Sequence, residues 1–137
     1  MKMLTLNLMV CLSLLAGNVY AADLSICNPD ADITFHANGT LQSCDLKKVY
    51  EQGNLKCNAY SKISFFKNGA LRSCVLYEDL AIGGVTCGDL ATLVLYPSGK
   101  LHSCTLTKPA VVGAKNCMQG QPVAFLESGA LKSCTEE

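Results

Sequence analysis

Apolar and polar residues along this chain recur with a period of thirty residues. Ile33, Ile63, Leu93 and Val123 share one slot of the period. Phe35, Phe65, Leu95 and Phe125 share a second, and Leu41, Leu71, Leu101 and Leu131 a third. Gly39, Gly69, Gly99 and Gly129 recur between these apolar slots, and Ser43, Ser73, Ser103 and Ser133 each precede a cysteine. Further on, Leu46, Leu76 and Leu106 recur, as do Gly53, Gly83 and Gly113. No insertion or deletion interrupts the register. A period of this size marks a repeat array, in which each unit buries its apolar face against its neighbours.

Within a unit the pattern reads as β. The segments ITFHANGTLQSC, ISFFKNGALRSC, LVLYPSGKLHSC and VAFLESGALKSC each show a β-prone run, a turn signal and a second run. Pro97 selects the turn, because a two-residue hairpin loop would place it where an N–H is needed. A three-residue loop, with Pro97 in a type I turn and Gly99 left-handed after it, removes that conflict. This loop sets Phe35 opposite Leu41, Phe65 opposite Leu71, Leu95 opposite Leu101 and Phe125 opposite Leu131, as the buried face. The other face is expected to carry Thr34/Gln42, Ser64/Arg72, Val94/His102 and Ala124/Lys132. Leu41 and Cys44 are an odd number of residues apart, so both face inward only if a bulge or corner lies near Ser43. The expectation is an all-β domain of four tandem hairpin units, about 27–46, 57–76, 87–106 and 117–136 with linkers, forming a solenoid or curved antiparallel meander.

The cysteines follow the same period. Cys27, Cys44, Cys57, Cys74, Cys87, Cys104, Cys117 and Cys134 are separated alternately by 17 and 13 residues. Pairing within units (27–44, 57–74, 87–104, 117–134) uses all eight, whereas pairing across the shorter gaps strands Cys27 and Cys134. Within-unit bridges are therefore expected, each stapling a loop worth on the order of 3 kcal/mol.

Residues 1–21 have the parts of a secretory signal: Lys2, the apolar run Leu4–Ala16, and Val19-Tyr20-Ala21 before the cleavage point. Cleavage there leaves 116 residues, 22–137, as one domain. A competing reading makes Cys11 the modified residue of a lipoprotein, but bulky Val10 precedes it and the apolar run continues past it. The apolar run is too short to span a bilayer, so no stable membrane insertion is expected. Losing Lys2 leaves ten basic and eleven acidic residues, a net charge of −1, and nothing in this balance favours nucleic acid. An even cysteine count after an export signal points to an oxidising compartment, secreted or periplasmic.

The phrase aromatic-x-x-[Asn/Ser]-Gly-x-Leu-x-Ser-Cys-x-Leu, spanning 27–134 in four copies, resembles tandem hairpin repeats in uncharacterised secreted bacterial proteins. More distantly it is similar to MORN-type repeats, with cysteine pairs added. The resemblance implies a scaffold of stacked hairpins and carries over no catalytic residue.

The search for chemistry leaves few candidates. The closest cysteines have twelve residues between them, far from the knuckles of zinc sites, and no Cys-x-x-Cys occurs. Metal and cofactor are therefore not expected. His36 takes a slot that elsewhere holds Phe66, Tyr96 and Leu126; His102 takes one that holds Gln42, Arg72 and Lys132. The four serines before cysteine lack a nucleophile elbow, and backbone satisfaction at the bulge is their expected role. No acidic pair stands out as acid and base. His36, Phe66, Tyr96 and Leu126 break the repeat beside the hairpin tips and form the candidate binding surface, unless the segments around Tyr50, Tyr60 and Tyr77 cover it. Asp23, Glu136 and Glu137, with Glu136 in the place of the repeating leucine, suit an end that discourages end-to-end growth.

The functional expectation is a non-catalytic scaffold or binding module of the cell envelope, with a protein or glycan partner. The alternative is a secreted inhibitor or effector acting through a tip such as Tyr96-Pro97-Ser98-Gly99; a hydrolase is the remaining class. Alkylation of the unreduced exported protein should add no mass, because all eight cysteines are paired.

Overall fold

The computed structural model describes residues 23–137; residues 1–21, expected to be a signal, and Cys11 among them, lie outside the described residues. A short 3₁₀ turn, Leu24–Ile26, opens the fold, capped by the Asp23 carboxylate, which accepts from the Ser25 N–H. Fourteen strands follow in chain order. The first unit supplies β1 (Thr34–Phe35) and β2 (Leu41–Asp45), and its linker β3 (Tyr50–Gln52) and β4 (Leu55–Cys57). The second supplies β5 (Lys62–Phe65), β6 (Leu71–Val75), β7 (Leu80–Ile82) and β8 (Val85–Cys87). The third supplies β9 (Thr92–Leu95), β10 (Leu101–Thr105), β11 (Ala110–Val112) and β12 (Lys115–Cys117). The last supplies β13 (Pro122–Phe125) and β14 (Leu131–Cys134).

The four main hairpins join edge to edge in one eight-stranded antiparallel meander, ordered β1-β2-β5-β6-β9-β10-β13-β14. The linkers are not loops. They are three separate two-stranded hairpins, β3–β4, β7–β8 and β11–β12. Their Leu55, Leu80 and Val85 are buried in the same core as Ile63, Phe65, Leu93 and Leu95 of the sheet. The architecture is thus two β layers, with the small hairpins over the sheet's inner face. The recurring linker glycines make their turns possible. Gly53 (φ 59°) lies between paired Gln52 and Leu55, a two-residue loop whose first position is left-handed.

The tip loops have the expected geometry. The Tyr96 N–H donates to Lys100 O, the Gly99 N–H to Tyr96 O, and Gly99 has φ 84°. The core pairs are also as expected: Phe35 opposite Leu41, Phe65 opposite Leu71, Leu95 opposite Leu101 and Phe125 opposite Leu131. The bulge exists, one residue before the serine. Thr34 pairs with Ser43, not with Gln42, so Gln42 is the unpaired extra residue. Leu41 and Cys44 are thereby both buried, while Gln42 and Ser43 stay off the core. The expected outer pairs are corrected in every unit: Ser64 faces Ser73, Val94 faces Ser103 and Ala124 faces Ser133.

Four disulfides join Cys27–Cys44, Cys57–Cys74, Cys87–Cys104 and Cys117–Cys134. In three of them one sulfur ends a second-layer hairpin and the other sits in a sheet strand, so each bridge ties the layers together. Four disulfides suit an oxidising compartment. Among the described residues no helix is long and apolar enough to cross a membrane.

The ends depart from the repeat for physical reasons. Phe35 is 48% exposed, although its counterparts Phe65, Leu95 and Phe125 are buried. Among the described residues β1 is the edge strand of the sheet, with no unit packed before it, which corrects the expectation of a buried Phe35. Leu55 and Leu76 are both buried, as are Val85 and Leu106. The same pair of slots in the last unit holds Lys115 and Glu136, joined by an exposed ion pair of 3.0 Å. An apolar pair that would lack cover has become a charged one.

Leu76→Ala, at a fully buried position, should cost about 2–5 kcal/mol in denaturant unfolding. Replacing Cys57 and Cys74 together by serine should cost about 3 kcal/mol.

Candidate binding surface

The outer face of the large sheet carries one unbroken row of small residues: Thr34, Ser43, Ser64, Ser73, Val94, Ser103, Ala124 and Ser133, each paired with the next across adjacent strands. Two hydroxyl pairs close directly, Thr34 with Ser43 at 2.7 Å and Ser64 with Ser73 at 2.6 Å. Ser43 and Ser73 thus bond cross-strand hydroxyls and Ser103 the His102 ring, which corrects for these three the expectation that the serines serve backbone groups at the bulge. Beside them stand the bulge residues Gln42, Arg72, His102 and Lys132. A residue that takes no part in the ladder projects on the same side as its neighbour, and His102 shows this directly: its Nδ1 lies 3.2 Å from Ser103 Oγ.

The four stripe residues occupy equivalent places, and the fold uses them differently. His36 donates from Nε2 to the Phe65 carbonyl of the next unit at 2.8 Å. Tyr96 donates its hydroxyl to the Phe125 carbonyl, also at 2.8 Å. Phe66 has no donor for the equivalent carbonyl and instead lies under the Arg72 guanidinium, 5.7 Å from its ring centre. Leu126 is exposed. Two members of the stripe are therefore locks between consecutive units. The segments expected as a possible cover lie elsewhere: Tyr50 packs edge-on against Phe65 of the core at 6.1 Å, while Tyr60 and Tyr77 are exposed.

A shallow hollow of about 250 Å³ opens in the outer face near its far end, lined by Ser103, Pro122, Ala124, Ser133 and Thr135 among others. His102 adjoins it through Ser103, and its ring lies tilted at 55° to that of Tyr96 with the centres 4.8 Å apart. The structure thus brings a histidine and a serine into contact. A nucleophile–base pair also needs a third group to orient the base, and the contacts of His102 are the Ser103 hydroxyl and the Tyr96 ring.

One feature escaped the sequence reading. Tyr60 (φ 58°) and Leu90 (φ 57°) are left-handed, and they are 77% and 70% exposed. Gly120 occupies the same slot with φ 74°. The presence of glycine in one of the four copies was the available signal that two others, those of Tyr60 and Leu90, hold bulky residues in a strained conformation.

Ionisable groups add little. Glu78 hydrogen-bonds Lys56 at 2.9 Å and holds its pKa above the ordinary lysine value. Hydrogen bonds from Ser25 hold the Asp23 carboxyl below its ordinary value. Among the described residues, no three His, Cys, Asp or Glu side chains converge as a metal site. No family model, curated protein or solved structure matches the chain.

Tyr60→Gly should stabilise the fold by about 1–2 kcal/mol, the cost of holding an L-residue in the left-handed region, read as a raised denaturation midpoint. Tyr96→Phe removes one hydrogen bond to the next unit and should cost about 1 kcal/mol. Because the Lys56 pKa is raised, any stability from its pair with Glu78 is present at neutral pH and lost as pH rises through the raised value; Glu78→Gln should flatten that alkaline dependence.

Proposed function

We propose that the protein is a non-catalytic repeat scaffold of the cell envelope, exported to the periplasm or beyond, whose outer sheet face binds a protein or glycan partner. One observation carries this reading. Apart from the serine of the outer row, the slots shared by all units are spent on core, turns and disulfides, while the face that no second layer covers carries two slots whose residues differ from unit to unit. Gln42, Arg72, His102 and Lys132 occupy one such slot, and His36, Phe66, Tyr96 and Leu126 another. An invariant frame with varied exposed positions suits recognition better than chemistry, which needs one convergent cluster. The alternative of a tip-acting effector is not favoured at the Tyr96 tip, because the Tyr96 hydroxyl is engaged by Phe125.

A photoreactive residue at Arg72 should cross-link an envelope component in the native host, and the same residue at Lys108 should not. Equal capture from both positions, or turnover of a substrate abolished by His102→Ala, would overturn the reading.

A further inference from the structure

We infer that the Cys117–Cys134 bridge is a site of thiol–disulfide exchange, opened through Cys134 by a dithiol reductant before any other bridge of the array.

Cover separates this bridge from the other three. In each unit the second cysteine sits on the unit's second strand, and in three units the first strand of the next unit lies against it. Cys44 pairs with Ile63, Cys74 with Leu93 and Cys104 with Val123. Cys134 is on β14, the edge strand among the described residues, and its ladder partner is Val123 of its own unit. It is half-buried, whereas the other seven bridged cysteines are at most 4% exposed. The edge at β1 lacks this opening. Phe35 is exposed there, but Cys44 lies one strand inward, and both Cys27 and Cys44 are buried. The last unit's own residues fit an uncovered flank, since the charged pair Lys115–Glu136 fills the slots of buried Leu55 and Leu76.

Exchange requires a thiolate to reach one of the two sulfurs, and Cys117 is fully buried. The attacking thiolate therefore bonds Cys134 Sγ. The Cys117–Cys134 bond breaks and its electron pair stays on Cys117 Sγ. The reductant's second thiol, as its thiolate, then displaces the Cys134 sulfur. Both protein thiolates take protons from water, replacing the two that the reductant's thiols release. The bridge is reduced by two electrons and the dithiol is oxidised to a disulfide.

The element that the bridge holds is β14. Leu131 and Cys134 are half-buried in it, and Lys132 and Ser133 are exposed. With the bridge open, β14 keeps its ladder to β13, the backbone bonds Met118–Thr135 and Asn116–Glu137, and the Lys115–Glu136 pair. An element with so little buried apolar surface opens at low cost. Its release uncovers Val123 and Phe125, which it faces in the ladder, and leaves β13 as an unpaired sheet edge. β13 stays paired with β10, and the bridges of the first three units stay closed. Reduction thus unlocks one end of the array and leaves the rest stapled.

The test is limited reduction of the exported, oxidised protein by dithiothreitol without denaturant, followed by alkylation and peptide mapping. Cys117 and Cys134 should become alkylated on the order of tenfold faster than the other six cysteines. With glutathione in place of the dithiol, the mixed disulfide should form on Cys134 and the alkyl group should appear on Cys117. Amide hydrogen exchange of the protein reduced at this one bridge should rise on β14 and stay unchanged from β1 to β10. Earlier opening of another bridge overturns the inference, as does simultaneous reduction of all four. Glutathione on Cys117, or exchange that rises through the whole sheet, overturns it as well. All of these readings come from the unsubstituted chain, so none depends on whether a cysteine variant folds.

Discussion

In every unit a leucine and a cysteine three residues apart must both face the core. Leu41 and Cys44 show the problem: a regular strand alternates its faces every residue, so an odd spacing sends one of them outward. The extra residue at Gln42 resolves it. The leucine keeps its place against Phe35, the cysteine reaches its disulfide partner, and two consecutive residues, Gln42 and Ser43, are left off the core. The bulge is therefore the origin of both the staple and the outer face. It lets the sheet be covalently tied to its second layer, and it places a projecting side chain beside each serine of the small-residue row.

The second layer explains how short elements make a stable domain. A two-stranded hairpin of three-residue strands is marginal alone. Here β3–β4, β7–β8 and β11–β12 each bury apolar side chains in the common core, and each is pinned at its end by a disulfide. Neighbouring units are also joined on the opposite face, where His36 and Tyr96 bond the carbonyls of the following unit. At the far end the second layer stops, and the Lys115–Glu136 ion pair takes the place of the apolar pair that another hairpin would cover. Glu136 alone read as a charge against end-to-end growth; with Lys115 beside it, the replacement is a matched pair of side chains.

The candidate surface was legible in part. Exposed non-repeating positions were visible once the period was known, and Arg72, His102 and Lys132 were recognisable as solvated slots. Their relation to the serines was not, because it depends on which residue is left out of the ladder. His36 and Tyr96 read as outer aromatic positions, yet their bonds to Phe65 and Phe125 arise from the offset between units, which no single hairpin reveals. Only the backbone angles show that Tyr60 and Leu90 hold strained, left-handed conformations.

The sequence by itself determined the repeat, the hairpin tips, the core pairs and the disulfide partners. These follow from local rules: a side-chain period of two, a turn that tolerates Pro97 and needs Gly99, and an even set of cysteines at fixed spacing. The tertiary structure decided what became of the linkers and which face stayed open. Segments such as Tyr50–Cys57 carry too few residues to declare a layer, and their apolar side chains gain a place only against Ile63, Phe65 and their neighbours. Covering one face of the sheet leaves the other to solvent, and that choice depends on contacts between residues far apart in the chain.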